Sequence, residues 1–361
     1  MKIAFFIPKI TNIGGIARVV SLLSSELIDK KKFDVSVIGY LDGEMEGYNW
    51  HEKTSFMSLF KKPINLKKGL LLASYRLRKQ INANDIDVLV CCGSMLGPVG
   101  VLATLGSKRN MIYWDHSNFF EQTNHDFKMF SKKFAARHAD VVVPLTKADA
   151  KEYQKHTKAK EICQIYNPVD PKLNDFPTTY DPSSKKIISV GRLSTQKNFE
   201  LLVDIAKVVF EKVPEVTWHI YGEGHTRSAI EKKIDEYGIQ DRLILEGMSS
   251  NLYSIYNEFS MMVMTSRYEG FPMVLLEGLS NGLPLISFDI KTGPNEIIVE
   301  GENGFLIDEG NVDKMAKTII NLFNDKELRI KMSSKGLSYI KDFEIEEILN
   351  KWSQVFYSPK N

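Results

Sequence analysis

The most informative stretch of this sequence is SRYEGFPMVLLE, at positions 266 to 277. The apolar run MMVMT at 261 to 265 precedes it and is typical of a buried parallel strand. Residues 274 to 279 have helical character, and Asn281-Gly282 then ends the helix. The segment therefore predicts a strand, a tight loop and a helix, with free backbone N–H groups at the helix start that favour an anion.

Two carboxylates bracket this loop. Glu269 lies at the edge of the loop, and Glu277 follows about two helical turns later. One carboxylate can therefore reach a ligand beside the anion, while the other can hold a more distant part of the same ligand. A bare pair of glutamates at a helix start, without the surrounding motif, is more often a pair of solvated side chains.

The composition is that of an ordinary globular protein, with 43% hydrophobic and 25% charged residues in 361. This length predicts two domains of about 150–190 residues each. No apolar run approaches the ~18–20 residues of a membrane span, and the first residues lack a signal-peptide pattern. Cys91, Cys92 and Cys163 show neither disulfide-framework nor metal-site spacing, so we expect core thiols in a reducing cytoplasm.

Charge is distributed unevenly, although the net formal charge is only +2. Residues 1–166 carry 25 Lys and Arg against 16 Asp and Glu, a balance of +9, and the remainder has a balance of −7. The first half is therefore expected to face an anionic partner, which need not be nucleic acid.

A basic stretch, residues 53–84, contains eight cations and no acidic residue. One interpretation is a surface helix whose basic back is solvated. The other is a patch that rests on an anionic membrane surface. The apolar residues that share one face of this predicted helix, while the cations point elsewhere, are Leu66, Leu70, Ala73, Leu77 and Ile81.

The chain begins with a strand-loop-helix unit. A strand at 3–7 leads through Gly14-Gly15 into a helical pattern at 16–30, which is the first half of a nucleotide-type βαβ unit. Paired glycines also occur in tight turns that bind nothing, so these two carry little weight alone. The stretch from 41 to 58 is polar and irregular and predicts no element.

A second βα series starts with the strand at 186–191. It runs directly into RLSTQKN at 192–198 and then into a helix. Arg192 and Lys197 flank this strand-to-helix loop, which suits a diphosphate by charge and by helix dipole.

A histidine marks a second candidate position. His116 lies at the carboxyl end of the predicted strand 110–116, where open α/β sheets place ligands. A lone histidine there is more often a structural hydrogen-bonding residue. The proline-rich segment that begins near Asn167 indicates a connector between two domains.

These motifs resemble those of family 4 retaining glycosyltransferases. The resemblance rests on Glu-Gly-Phe-Pro at 269–272, on Gly-Arg-Leu at 191–193 with Gln-Lys-Asn at 196–198, and on His-Ser-Asn at 116–118. It covers nearly the whole chain. It implies an α/β protein of the GT-B class, with two facing Rossmann-like domains and a cleft between them.

The implied domains are an N-terminal acceptor-binding domain at 1–166 and a C-terminal nucleotide-sugar-binding domain at 167–342. A last helix, at about 343–361, is expected to pack back onto the first domain. The resemblance further implies a retaining, metal-independent enzyme. It would move a sugar from a nucleotide diphosphate sugar, expected to be UDP-linked, to a glycan or lipid-linked acceptor in bacterial-type surface polysaccharide synthesis.

The expected catalytic residues are His116, Glu269, Arg192 and Lys197. Neither a cofactor, a metal nor a nucleic acid is expected, and the protein is expected in the cytoplasm, peripheral to the inner face of the membrane. The residues expected to bind the nucleotide sugar are Gly14, Gly15, Arg192, Lys197, Gly247, Met248, Gly270, Phe271, Pro272, Met273, Val274 and Glu277.

Two alternatives remain. GT-B architecture also carries sugar-nucleotide epimerases, which would release free UDP without a transfer product. A non-catalytic nucleotide-sugar-binding subunit is a different class, and it would normally have lost one of Glu269, Arg192 and Lys197, all of which are present here.

Overall fold

The computed structural model describes residues 1–10, 14–43, 50–120, 126–176, 179–249 and 251–358. The chain forms two compact units. The first comprises Met1–Pro168 and Ile345–Asn361, and the second comprises Val169–Glu344. The boundaries expected from sequence lie within about two residues of these.

The first unit contains one six-stranded parallel sheet. Its strands are β1 (Lys2–Lys9), β2 (Asp34–Leu41), β3 (Ser55–Phe60), β4 (Val88–Cys92), β5 (Asn110–Asp115) and β6 (Val141–Pro144). Its first helices are α1 (Gly15–Lys31), α2 (Leu66–Ala83), α3 (Gly97–Thr104), α4 (Asp126–His138) and α5 (Lys147–His156). The strand order is β3-β2-β1-β4-β5-β6.

The second unit repeats this plan with another six-stranded parallel sheet. Its strands are β7 (Lys186–Val190), β8 (Thr217–Tyr221), β9 (Leu243–Gly247), β10 (Met261–Met264), β11 (Leu285–Asp289) and β12 (Gly304–Asp308). Its helices are α6 (Phe199–Lys212), α7 (Arg227–Tyr237), α8 (Leu252–Ile255), α9 (Met273–Ser280), α10 (Val312–Asn324) and α11 (Lys326–Tyr339). The strand order is β12-β11-β10-β7-β8-β9.

The central strands of both sheets are buried on two faces, which explains why they are nearly continuous apolar runs. Residues Ile3 to Ile7 of β1 are fully buried, and so is all of β10. In the first unit, Ala73, Leu77 and Ile81 of α2 join the core on one face of the sheet. The helical face predicted for α2 is therefore the face that packs inward.

The last helix, α12 (Ile345–Tyr357), packs onto the first unit. The Trp352 ring lies 4.7 Å from the Trp114 ring and 6.5 Å from the Phe5 ring, measured between centroids. Lys30 of α1 forms a 2.7 Å ion pair with Glu346. The last helix of the chain thus belongs to the first unit.

In each sheet the strand order reverses at one point. The reversal lies between β1 and β4 in the first unit and between β7 and β10 in the second. Loops that leave the carboxyl ends of such a pair diverge and open a crevice, which is where open α/β sheets bind ligands. Each unit therefore offers one such position.

None of the helices in the described residues is both long and apolar enough to span a bilayer. No group of three or more His, Cys, Asp or Glu side chains in that part of the chain is arranged to hold a metal ion.

Candidate functional site

Two loops meet at the reversal point of the second sheet, one after β7 at residues 191–198 and one after β10 at residues 265–272. The backbone N–H of Arg267 donates to the carbonyl of Gln196 at 2.8 Å, and the Gln196 side chain donates to the carbonyl of Tyr268 at 2.9 Å. The Thr265 hydroxyl donates to the carbonyl of Lys197 at 3.1 Å. These bonds join the two loops into one structure.

An ion pair lies at the centre of the joined loops. The Lys197 ammonium donates to Glu269 Oε1 at 2.6 Å. The two side chains are only 17% and 8% exposed, so solvent screens the pair much less than it would a surface pair. An ammonium has three donors, so Lys197 retains hydrogen-bonding capacity for a further acceptor.

A third loop, which follows β11, supports Glu269 from the other side. The Thr292 hydroxyl donates to the Glu269 carbonyl at 2.7 Å. Gly293 has a φ of +102°, and a Cβ there would lie 2.7 Å from Cδ of Pro272. The position therefore requires glycine, and the backbone around Glu269 is held on both sides.

The start of α6 shows how the first loop is fixed. Asn198 precedes α6 with a φ of +57°, a left-handed conformation that asparagine tolerates better than most residues. Its side-chain oxygen accepts a 3.0 Å hydrogen bond from the Arg267 guanidinium. Arg192, by contrast, is exposed and forms no hydrogen bond or ion pair within the described residues.

Sequence reasoning missed the contribution of the loop after β8. Gly222 has a φ of +144°, and a Cβ there would lie 1.9 Å from the Gly191 carbonyl oxygen. A Cβ on Gly224 would lie 2.0 Å from the Leu193 carbonyl oxygen. These two glycines let the β8 loop press against the Arg192 segment, and the spacing Gly-Glu-Gly at 222–224 was the available signal.

The second loop leads into α9. Pro272 caps this helix without a side-chain hydrogen bond to its first turn, and that turn contains no acidic residue. The helix N-terminus therefore presents uncapped partial positive charge. Phe271 is buried and packs 5.8 Å from the Phe343 ring, whereas Gly270, Met273 and Val274 are partly accessible.

Glu277 lies inside the protein, at 2% exposure. Its Oε2 accepts a 2.6 Å hydrogen bond from the Tyr256 hydroxyl. The carboxylate expected to bind the more distant part of the ligand is thus oriented by Tyr256. At the end of the edge strand β9, Gly247 has a φ of +75° and Met248 is 67% exposed.

The first unit contains the remaining predicted site residues. Gly14 and Gly15 begin α1, and a Cβ on either would meet no described atom within 4 Å. Neither has a positive φ, so no contact or backbone conformation shown here demands glycine at these positions.

His116 follows β5, half-buried against the Trp114 ring at 4.1 Å between centroids. Loss of solvation lowers the pKa of His116 to about 3, although the neighbouring Asp115 carboxylate acts in the opposite direction. The imidazole is therefore neutral at physiological pH. Its Nε2 is buried and has no hydrogen-bond partner among the described residues, which leaves that atom available to a ligand.

A buried charge network fixes the His116 loop, and sequence reasoning missed it. Lys132 of α4 is 1% exposed and lies 3.0 Å from Asp115 Oδ2, which also accepts a 2.6 Å hydrogen bond from the Tyr153 hydroxyl. The same ammonium donates to the Asn118 carbonyl at 2.5 Å, and Asp115 Oδ1 accepts from the Ser117 hydroxyl at 2.8 Å. The loop is thus tied to α4 and α5.

Asp149 of α5 holds the end of this loop. Its Oδ1 accepts a 2.8 Å hydrogen bond from the Phe119 N–H, and its Oδ2 accepts one from the Thr146 hydroxyl. Burial raises the pKa of Asp149 to about 6, although these two hydrogen bonds act in the opposite direction.

The structure thus brings Arg192, Lys197, Glu269 and the Gly270–Val274 turn together in the second unit. Met248 and Glu277 belong to the same unit, at β9 and within α9. Gly14, Gly15 and His116 belong to the first unit.

Comparison with known families shows matches over most of the chain. Residues 13–173 match the model described as Glycosyltransferase Family 4, and residues 172–338 match the model described as Glycosyl transferases group 1. Together the two models account for both units.

Similar proteins include full-length relatives and solved structures. An uncharacterized glycosyltransferase of Haemophilus influenzae is 28% identical over 98% of this chain and 99% of its own length. The UDP-Gal:alpha-D-GlcNAc-diphosphoundecaprenol alpha-1,3-galactosyltransferase of Escherichia coli is 26% identical over 94% and 95%. The structure of Anabaena HepE in complex with UDP superimposes with a TM-score of 0.84 at 18% identity, over 99% of this chain and all of that one.

The low pKa of His116 has a measurable consequence for stability. Below the ordinary imidazole pKa of about 6.5, the unfolded chain binds a proton at this position that the folded chain rejects. The unfolding free energy therefore falls as the pH decreases from about 6.5 towards 3. Between pH 7 and pH 5 the wild type should lose roughly 2 kcal/mol more than His116→Gln, in chemical denaturation at both pH values.

All other titrating groups are shared by the wild type and His116→Gln, so their contributions cancel when the two unfolding free energies are compared. An equal loss in wild type and variant would show that His116 titrates alike in both states, and would remove the assignment of a desolvated neutral ring.

Proposed function

The chain belongs to the GT-B glycosyltransferases of the family 4 type, and we propose that it is a retaining enzyme that uses a UDP-sugar and a glycan or lipid-linked acceptor. The observation that carries this proposal is the ion pair of Lys197 and Glu269, which joins two loops at the reversal point of the second sheet beside the exposed Arg192. A cation, a carboxylate and a helix N-terminus are thus present together at this reversal point.

The diphosphate is the first group to place. As the glycosidic bond breaks, negative charge grows on the leaving diphosphate and positive charge on the sugar ring. Arg192, the remaining donors of Lys197 and the N-terminus of α9 supply fixed positive charge for the diphosphate. We propose that these groups perform the neutralisation without a metal ion.

The carboxylates and the histidine take the other roles. Glu269, held by Lys197 and Thr292, would orient the sugar and stabilise its developing charge. Glu277, oriented by Tyr256, would hold the ribose hydroxyls. His116 would direct its buried Nε2 to a sugar hydroxyl, since a neutral imidazole can accept or donate one hydrogen bond there.

We propose retention of configuration through front-face attack. The acceptor hydroxyl forms the new bond to the anomeric carbon on the face that the diphosphate leaves, and its proton passes to the leaving phosphate oxygen. No covalent enzyme intermediate is then formed. Arg192 and Lys197 stabilise the leaving oxygen until it receives that proton.

Two relatives support the choice of substrates. The name of the E. coli relative gives UDP-Gal as its sugar donor and a lipid diphosphate glycan as its acceptor, with an alpha product. The similar fold of HepE was solved with UDP. The positive balance of residues 1–166 also suits an acceptor that carries phosphate.

Arg192 allows a test of the phosphate role that does not disturb the fold, because its side chain is exposed. Arg192→Ala should lower kcat/KM by on the order of a hundredfold or more, since it removes charge stabilisation of the leaving diphosphate. Lys212→Ala, an exposed cation at the far end of α6, is the matched control and should change little. Steady-state kinetics with a UDP-sugar measures both, and equal rates in the two variants would remove Arg192 from the site.

The stereochemistry and the metal requirement are tested on the product. NMR of the linkage formed should show the anomeric configuration of the donor sugar, and excess EDTA should leave the rate nearly unchanged. An inverted linkage would place the enzyme in another mechanistic class. Release of free UDP without a transfer product would indicate the epimerase alternative instead.

A further inference from the structure

The outer face of α2 carries a cluster of exposed apolar side chains that the core does not use. Leu71 is 77% exposed, Leu72 is 44% exposed and Tyr75 is 67% exposed. Leu71 and Tyr75 lie one helical turn apart, so they project from the same side of the helix. Sequence analysis considered only the cations on this face and missed its apolar centre.

A further exposed aromatic ring lies on α4. The Lys67 ammonium lies 4.9 Å from the centre of the Phe127 ring, which brings the first turn of α2 close to the first turn of α4. Leu71 follows one turn after Lys67, and Phe130, which is 60% exposed, follows one turn after Phe127. Because α3 packs against both helices, Phe130 is kept separate, and we call Leu71, Leu72 and Tyr75 the apolar patch.

Two of the cations in this stretch, Arg76 and Arg78, bind backbone carbonyls of the protein itself. The Arg76 guanidinium donates to the Leu59 carbonyl at 2.7 Å and lies over the Phe60 ring. The Arg78 guanidinium donates to the Ala103 carbonyl at 2.9 Å and to the Leu105 carbonyl.

The other cations border the apolar patch. Lys67 and Lys68 lie one turn before Leu71 and Leu72, and Lys79 lies one turn after Tyr75; all three are exposed. Lys61 and Lys62 are also exposed, just before the helix. Residues 53–84 contain no carboxylate that could neutralise any of these charges.

We propose that the outer face of α2 is a membrane-docking surface for an anionic lipid bilayer, with the apolar patch entering the headgroup region and the lysines contacting lipid phosphates. A helix that lies in the membrane plane has this composition, with lysines around aliphatic and aromatic side chains. Tyrosine suits the interface because its ring is apolar and its hydroxyl remains hydrated. A purely electrostatic contact would not require Leu71 and Leu72 to be exposed.

The proposal differs from simple charge attraction in its response to salt. Raising the salt from about 0.1 M to about 1 M shortens the Debye length from ~10 Å to ~3 Å and screens the lysines. Burial of Leu71 and Tyr75 is not screened. Binding should therefore weaken with salt without disappearing.

Co-sedimentation of the whole chain with vesicles tests this surface. Vesicles of phosphatidylcholine with and without phosphatidylglycerol, at low and high salt, separate the two contributions. We expect strong binding only with phosphatidylglycerol at low salt, and a measurable bound fraction with the same vesicles at high salt. Recovery of all protein in the supernatant under every condition would overturn the proposal.

Paired variants identify the surface. Leu71→Ser with Tyr75→Ser should lower the ratio of bound to free protein by roughly tenfold or more at both salt concentrations. Val299→Ser with Ile330→Ser, which removes two exposed apolar side chains from the second unit, is the matched control and should bind as the wild type does. Equal binding by the two pairs would overturn the assignment to α2.

Charge variants complete the test. Changing Lys67, Lys68 and Lys79 to Gln should reduce binding at low salt by roughly tenfold or more and change it little at high salt. The same change at three exposed lysines of the second unit, Lys212, Lys326 and Lys331, gives a control with identical net charge. An equal loss in both sets would show that net charge alone governs binding, and would overturn a specific surface.

Two further measurements distinguish loss of membrane binding from loss of catalytic activity, and a membrane surface from a dimer interface. Activity on a water-soluble acceptor should be the same in wild type and in all α2 variants, whatever reaction the enzyme performs. Gel filtration should also be unchanged by Leu71→Ser with Tyr75→Ser. A shift from dimer to monomer in that variant would assign the patch to a second copy of this chain, and the membrane proposal would be wrong.

Discussion

The 2.6 Å contact between Lys197 and Glu269 is the interaction on which the candidate site depends. Strand connectivity brings the two residues together, since β7 and β10 are neighbours at the reversal point of the sheet and their loops leave the same edge. Removing either partner would leave a poorly solvated charge without its counterion, which is costly inside a protein. The pair therefore fixes a cation and a carboxylate at positions that a flexible surface loop could not maintain.

In the first unit, buried charges likewise fix the loop that contains His116. His116 forms no hydrogen bond within the described part of the chain, but the neighbouring Asp115 accepts from Lys132 and Tyr153, and Lys132 also holds the Asn118 carbonyl. Lys132 is buried and bound to oxygen acceptors, and these bonds make the loop rigid. Desolvation keeps the His116 ring neutral. In both units, buried charge stabilises a loop and leaves a neighbouring polar group accessible to a ligand.

Much of this fold could be predicted from sequence because parallel strands are continuous apolar runs. The helix expected from residue 274 begins at Met273, and Trp352 of the tail helix packs against Trp114 of the first unit. The strand β3 (Ser55–Phe60) was missed, since its half-exposed edge position produces no apolar run.

Side-chain pairing across the sheet could not be predicted in the same way. Lys197 and Glu269 are 72 residues apart, and nothing local indicates that they meet. Lys132 was missed for a similar reason, because a lysine in a helix is normally solvated and only the packed structure shows it buried. Hydrogen–deuterium exchange with and without UDP measures whether this site binds the nucleotide. Binding there should protect the loops at residues 191–198 and 265–272 and the start of α9, whereas protection confined to other segments would show that UDP binds elsewhere.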